Sequence, residues 1–334
     1  VTDKFTTQES KSMKAVRFHS FGGPEVLQYE EIENPIPGAS EVLIKVDSAG
    51  VNFADCMSRR NAYPNPSQPP ICPGFEVAGT VIEAGKDAKV KIGARVLAMA
   101  SSGGGYRELA TADSASTFAI PDDVTFEEAA ALPGQALTAY FIFKDAPIVH
   151  GETVLVTAAA GGVGSVTAQI GKMFGGKKFI GTTSSDTKMA KVKEYGYDHA
   201  INTSNEDWHK EVLKITEGKG VALVLESVGG KVFYESMKSL SKGGKFVVFG
   251  GASGERVTVD PRNLVMANQR IIGFSLWKYI GNIPVLKEAL DVLFQALRDK
   301  KLKLQISTYP LSDAARVHEL MEASKTSGKL ILKP

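Results

Sequence analysis

Thr153-Val-Leu-Val-Thr-Ala-Ala-Ala-Gly-Gly-Val-Gly-Ser165 decides how this chain folds. Its first half, Val154 to Thr157, is a short apolar, β-branched run with turn residues behind it, the pattern of a strand buried in a parallel sheet. The run turns through Ala159, Gly161 and Gly164 into a helix predicted to start near Val163. Glycines are needed where a backbone turns tightly and a diphosphate must approach the amides at a helix N-terminus. Ala159, Gly161, Gly162, Val163 and Gly164 are therefore candidate contacts to a dinucleotide.

A second strand, Lys178-Phe-Ile-Gly-Thr-Thr183, ends about 20 residues past the turn, where a dinucleotide fold places its ribose-reading residue. An enzyme that uses NAD would put Asp or Glu there to accept the ribose hydroxyls. This chain has Thr183-Ser184-Ser185, with Lys188 one helical turn later. No carboxylate at the tip repels a 2′-phosphate, and a lysine is close enough to attract one, so the residues predict NADPH. Taken alone, Lys188 fits a solvated surface lysine equally well.

The 334 residues are 43% hydrophobic and 23% charged, enough for two domains with ample cores. A formal charge of +2 provides no field suited to nucleic acid or an anionic membrane, and no apolar run reaches transmembrane length. Cys56 and Cys72 are too few for a disulfide framework and fit a reducing compartment, so a cytoplasmic protein is expected. Residues 1–12 are polar and aperiodic and read as a mobile tail.

From Met13 to about Leu132, short strands alternate with Gly/Pro turns, which predicts a compact β-barrel-like domain. Between about Gln135 and Leu276 the rhythm changes to strand–helix alternation, with strands expected at 153–158, 178–183, 199–201, 222–228, 244–250 and 270–276. Six such strands with the glycine turn after the first predict a doubly wound parallel sheet, a Rossmann-type α/β domain. Val285 to Lys301 carries Leu286, Ala289, Leu290, Leu293, Phe294 and Leu297 on one face of a helix, a core-packing stripe. The expected organisation is a barrel domain over 13–134 and 279–334, interrupted by a Rossmann domain over 135–278.

The segments Gly50-Val-Asn-Phe-Ala-Asp55, Pro73-Gly-Phe-Glu76, Glu128-Ala-Ala-Ala-Leu132, Leu137-Thr-Ala-Tyr140 and the closing Gly328-Lys-Leu-Ile-Leu-Lys-Pro334 add a family signature. With the glycine turn, they make the chain resemble the medium-chain dehydrogenase/reductase superfamily over nearly all of 13–334. Within it the chain is similar to the zinc-independent quinone oxidoreductases, including the zeta-crystallin and vesicle amine transport branches. The resemblance implies a GroES-like barrel domain beside the Rossmann domain. Zinc-dependent members carry Cys and His where this chain has Asn52 and Phe75. An amide and a benzyl ring cannot replace a thiolate and an imidazole around zinc, so no metal is expected.

Without a Lewis acid, simple ketones are poor substrates. A quinone differs, because hydride addition yields an aromatised anion stabilised by delocalisation; an α,β-unsaturated carbonyl likewise spreads charge as an enolate. The resemblance sets Asn52 and Tyr63 at the substrate, the first able to donate to a developing oxyanion and the second to donate a proton or stack. Tyr63 lies in a Pro-rich loop and also fits simple packing. The family usually has Gly two residues before it; Asn61 stands there and tolerates positive φ. Thr138, Val228, Phe249, Gly250, Ser253, Phe274 and Leu276 are implied around the nicotinamide, with ordinary strand packing an alternative for 274–276. A homodimer through the sixth Rossmann strand is implied too. The leading expectation is an NADPH-dependent reductase acting on a quinone held between the domains. The alternatives are an enone or alkenal double-bond reductase, and a cofactor-binding structural or trafficking protein without turnover.

Overall fold

The computed structural model describes residues 12–63, 68–100, 104–149 and 151–334. Residues 1–11 of the expected tail lie outside the described residues, and Ser12 already belongs to the first strand. The chain divides into two compact units. The first comprises the chain up to Ala130 with Thr308–Ser324 and Leu330–Pro334; the second comprises Ala131–Ser307 and Lys325–Lys329.

In the first unit, β1 (Ser12–Phe18) and β2 (Leu27–Glu33) pair antiparallel. The remaining strands before the second unit are β3 (Glu41–Val51), β4 (Glu76–Ala84), β5 (Arg95–Met99), β6 (Leu109–Asp113) and β7 (Thr117–Ala119). β3 organises them: it pairs with β4 over Val42–Ala49 and with β6 over Glu41–Lys45. Both edges of β3 are thus hydrogen-bonded, and it buries Val42, Leu43, Ile44 and Val46 while Lys45 stays exposed.

The second unit holds β8 (Thr153–Val156), β9 (Lys178–Thr183), β10 (His199–Asn202), β11 (Val221–Glu226), β12 (Leu240–Val248) and β13 (Arg270–Gly273). All pair parallel, in the order β10-β9-β8-β11-β12-β13. This is the doubly wound sheet expected from the alternation of strands and helices. The order reverses between β8 and β11, and in open α/β sheets ligands bind beyond the strands' carboxyl ends at such a reversal. Residues 279–307, expected in the barrel domain, lie in the second unit. The cause is packing: helix Ile283–Arg298 buries Leu286, Ala289, Leu290, Leu293 and Phe294, and lies against residues 132–137 of the same unit.

The chain returns as β14 (Ile306–Pro310) and β15 (Lys329–Lys333); β15 pairs with β3 through Leu330–Leu332, beyond the stretch that β6 occupies. Val16, Ile44, Val77, Val96, Leu330 and Leu332 share one core.

Behind that core lies a buried polar chain. Arg59, with no exposed surface, donates from Nε to His318 Nδ1 (3.3 Å) and from Nη1 to the Gly22 carbonyl (2.5 Å), and pairs with Glu322. Tyr106 donates its hydroxyl proton to Asp55 Oδ2 (3.0 Å) and sits 3.1 Å from His318 Nε2. Only one tautomer satisfies both contacts: Nδ1 accepts from Arg59 and Nε2–H donates to Tyr106. A second proton would face the guanidinium, so burial first and the Arg59 charge second push the His318 pKa down to about 3.

The unfolded chain protonates His318 near pH 6.5, and the folded protein does so only near 3. Stability from this group is complete above pH 6.5 and falls as pH drops towards 3, by about 1 kcal/mol per pH unit. His318→Gln, which cannot take the proton, is expected to flatten the decline between pH 6 and 4 by about one proton's worth. Denaturant midpoints across that range check this; identical slopes for both proteins would contradict it.

Candidate active site

The glycine turn is tied to strands on both sides. Thr157 N donates to Leu225 O (2.9 Å), and Thr157 Oγ1 accepts from Ser227 N (3.0 Å), joining the end of β8 to the end of β11. Ala159 N donates to Thr182 O on β9 (2.8 Å), and Gly161 N to Ala158 O (2.8 Å). The helix Gly162–Met173 starts immediately after. Gly164 is dictated by packing: a Cβ there would stand 2.4 Å from Ala158 O and 2.6 Å from Ala159 Cα. Gly162 is not, since a Cβ would meet nothing closer than Gln135 Oε1 at 3.5 Å. The unpaired N–H groups of a helix's first turn favour an anion.

The parallel sheet brings the sequence-derived cofactor residues to one edge. Ala159, Gly161, Gly162, Val163 and Gly164 follow β8; Thr183 ends β9 and Ser184 comes next; Val228 follows β11, Phe249, Gly250 and Ser253 follow β12, and Phe274 and Leu276 follow β13. Cross-links hold these loops in place. Ser253 N donates to Val228 O (2.8 Å), Ala252 N to Ser227 O (2.9 Å) and Phe274 N to Val248 O (2.9 Å). Glu226, fully buried, accepts from Val228 N (2.7 Å) and Gly229 N (2.9 Å) and so shapes the turn after β11. Burial raises its pKa, and those two amides oppose the rise.

Thr138 opens the helix Thr138–Asp145 directly after a π-helical turn over Leu132–Leu137, and its hydroxyl donates to Gly134 O (3.0 Å). Lys188 is half-buried, and its Nζ donates to Thr326 O (2.8 Å), with burial and the nearby Lys191 lowering its pKa. It is an anchored lysine rather than a fully solvated one. Hydroxyls at Thr183 and Ser184, this lysine and the helix start fit a phosphorylated dinucleotide; Thr183–Ser185 carries no carboxylate, and Asp186 accepts from Asn202 Nδ2 (2.8 Å).

Asn52 caps the short helix Phe53–Arg59 in the first unit, its N–H donating to Asp55 Oδ2 (2.8 Å). Its Nδ2 donates to Oε1 of the fully buried Glu76 (2.7 Å). Asp55 also receives the Tyr106 hydroxyl, which links the cap to the His318–Arg59 chain. Tyr63 is half-buried, and Asn61 takes the left-handed conformation at φ 56°, so the turn that usually requires glycine is kept. Residues 64–67 of the adjoining loop lie outside the described residues.

These positions do not fit zinc, because Phe75 has no donor atom and Asn52 directs its amide nitrogen at Glu76. Elsewhere among the described residues, Asp207, His209 and Glu235 bring ligand atoms within 4.8 Å of one another. Lys210 and Lys238 form salt bridges with two of the three. Sequence reasoning assigned nothing to Glu76, Glu226 or the buried Gln135. The signal was available: each is a polar residue opening, ending or interrupting an apolar run.

A barrel-like unit carrying a capped Asn52 and a nucleotide-type unit with a glycine turn define a dehydrogenase/reductase. Residues 38–122 match the alcohol dehydrogenase GroES-like domain and residues 162–295 the zinc-binding dehydrogenase domain. Quinone oxidoreductase 1 of Escherichia coli is 35% identical over 328 residues, 96% of this chain and 99% of that protein. A solved structure of the Escherichia coli quinone oxidoreductase complexed with NADPH superimposes with a TM-score of 0.91 at 33% identity, covering 96% of this chain and 100% of that one. The quinone oxidoreductase of Pseudomonas syringae pv. Tomato DC3000 gives 0.90 at 36% identity over 96% and 100%. The chain belongs to the zinc-independent quinone oxidoreductase branch of the medium-chain dehydrogenase/reductase superfamily.

The two glycines of the turn make separable predictions. Gly164→Ala, forced against backbone, is expected to lose roughly 1–3 kcal/mol of stability, while Gly162→Ala stays within about 1 kcal/mol of the parent. Denaturant unfolding of both variants checks the contrast.

Proposed function

We propose that this protein is an NADPH-dependent quinone oxidoreductase that works without a metal. The observation that carries the reading is the tip of β9, where Thr183-Ser184-Ser185 holds no carboxylate, Asp186 is engaged by Asn202 and Lys188 is anchored, in a chain matched over 96% of its length by quinone oxidoreductases. NADPH supplies the hydride when bound. The amides of Gly162, Val163 and Gly164 receive its diphosphate at the helix start, and Thr183, Ser184 and Lys188 receive the 2′-phosphate. Thr138, Val228, Phe249, Gly250, Ser253, Phe274 and Leu276 orient the nicotinamide end and exclude water.

Asn52, held by its cap and by Glu76, presents a fixed amide to the substrate oxygen. Tyr63 supplies a phenolic proton. A quinone needs little more, since the charge it gains is delocalised over an aromatic ring and positioning does most of the catalytic work. The assembly is a homodimer through the free edge of β13, beside the exposed Val265, Met266 and Trp277. The compartment is the cytoplasm, a reducing environment that suits the two unpaired cysteines, Cys56 and Cys72. No helix among the described residues is long and apolar enough to cross a membrane.

Anaerobic oxidation of NADPH and NADH against benzoquinones, naphthoquinones, 9,10-phenanthrenequinone and small enones tests the activity. The expected result is NADPH-preferring turnover on quinones; turnover on enones alone makes the protein a double-bond reductase, and cofactor binding without turnover makes it non-catalytic. Lys188→Ala is expected to weaken NADPH binding by about tenfold or more and leave NADH binding unchanged. An unaltered ratio would refute the phosphate assignment. Sedimentation should give a dimer for the parent and a monomer for the Val265→Asp/Met266→Lys double variant; a monomeric parent removes the dimer.

A further inference from the structure

Around the tip of β9 the second unit gathers more lysines than the phosphate assignment uses. Lys188 Nζ donates to Thr326 O (2.8 Å), and Lys191, one helical turn on, donates to Ser327 Oγ (3.2 Å). Segment 325–328 therefore brings Lys325 beside them before it reaches the glycine turn, where Gly328 N donates to Ala160 O (2.9 Å). Lys193 shares the helix Met189–Glu194 with Lys191, and Lys172 Nζ meets the end of that helix at Gly196 O (2.6 Å). Lys172, Lys191, Lys193 and Lys325 are exposed, and they lead along the surface to the half-buried Lys188. Burial, and then the charge of Lys191, lower the Lys188 pKa, so these two ammonium groups are close enough to repel.

Lys172 and Lys191 bond neutral oxygens, which leaves their charges uncancelled. The carboxylates along the same path are Asp186, Glu194 and Asp198; Asp186 accepts from Asn202 Nδ2 and Asp198 from Phe179 N. The whole chain carries only +2, so this surface makes a local field rather than a general attraction to polyanions. Lys172 stands near the far end of the helix Gly162–Met173, about 15 Å from the glycine turn by helical rise. At that distance it cannot touch a bound cofactor, yet it acts on an anion throughout its approach. NADPH brings a phosphate monoester of about −2 charge near pH 7 in addition to the diphosphate it shares with NADH, so the same field pulls it harder. We propose that Lys172, Lys193, Lys191 and Lys325 steer NADPH onto Lys188, and that part of the preference over NADH is set by the association rate. This rests on the NADPH reading above.

Stopped-flow binding of NADPH and of NADH, followed by nicotinamide fluorescence across a salt series, separates approach from contact. The parent's association rate should fall with salt more steeply for NADPH than for NADH. The outer double variant Lys172→Glu/Lys193→Glu should slow NADPH association by about threefold or more at about 0.01 M salt and match the parent near 1 M. Its dissociation rate should not change, and NADH association should slow by less. Lys188→Ala, in contrast, should act on dissociation. Should the outer variant fold poorly, Lys191→Gln/Lys325→Gln is read by the same salt series. An unchanged association rate at low salt, equal salt slopes for the two cofactors, or a loss confined to dissociation overturns the steering. If the parent binds NADPH no tighter than NADH, the phosphate reading falls and the steering with it; a clear preference with unaltered association rates in the variants removes the steering alone.

Discussion

The approach of Gly164 to the Ala158 carbonyl is the contact on which the second unit depends. A helix can start this soon after a strand only if nothing projects from the residue that passes the carbonyl of the connecting turn. With a Cβ excluded at 2.4 Å, helix 162–173 lies close on β8 and its first amides meet the sheet's carboxyl edge. The neighbouring strands lock this arrangement through Ala159 to Thr182 and Thr157 to Leu225. The strand order reverses beside β8, and in open α/β sheets ligands bind beyond the carboxyl ends of the strands at such a reversal. Binding capacity here is therefore a property of backbone geometry, with side chains choosing among dinucleotides.

The first unit makes a different contribution. It holds Asn52 in a buried polar chain that restricts how the side chain can move. Glu76 holds the amide, Asp55 holds the backbone, and Asp55 is held in turn by Tyr106, His318 and Arg59. Such a chain is costly to bury, and it is complete only with His318 neutral in one tautomer. Fully satisfied polar networks of this kind confer rigidity. That suits a reaction in which the protein positions its reactants and the substrate delocalises its own charge.

How much of this could be read beforehand varies with the kind of interaction. Local patterns spoke clearly. Alternating strands and helices predicted all six parallel strands within a few residues, and the helix stripe at Leu286, Ala289, Leu290, Leu293 and Phe294 is buried as its spacing required, with Leu297 half-buried at the end of the helix. Asn61 adopts the positive φ expected of a glycine substitute. Assigning residues 279–307 to a unit was beyond reach, because an amphipathic helix reveals that it has an apolar face and not which core receives it. Glu76 and Glu226 were visible as carboxylates at the ends of apolar runs, yet their partners, Asn52 and the 228–229 amides, depend on folding.

The sequence by itself determined the parallel sheet, the glycine turn, the loss of zinc ligands at Asn52 and Phe75, and the lack of a carboxylate at Thr183–Ser185, the tip of β9. Each is set by residue type at fixed local spacing, which chain geometry carries directly into structure. Tertiary structure alone decided that Lys188 is anchored by Thr326, that His318 stays neutral between Arg59 and Tyr106, and that Gln135 lies orphaned beside Gly162. Those outcomes depend on residues brought together from distant parts of the chain, and on burial, which sets the strength of every charge and hydrogen bond among them.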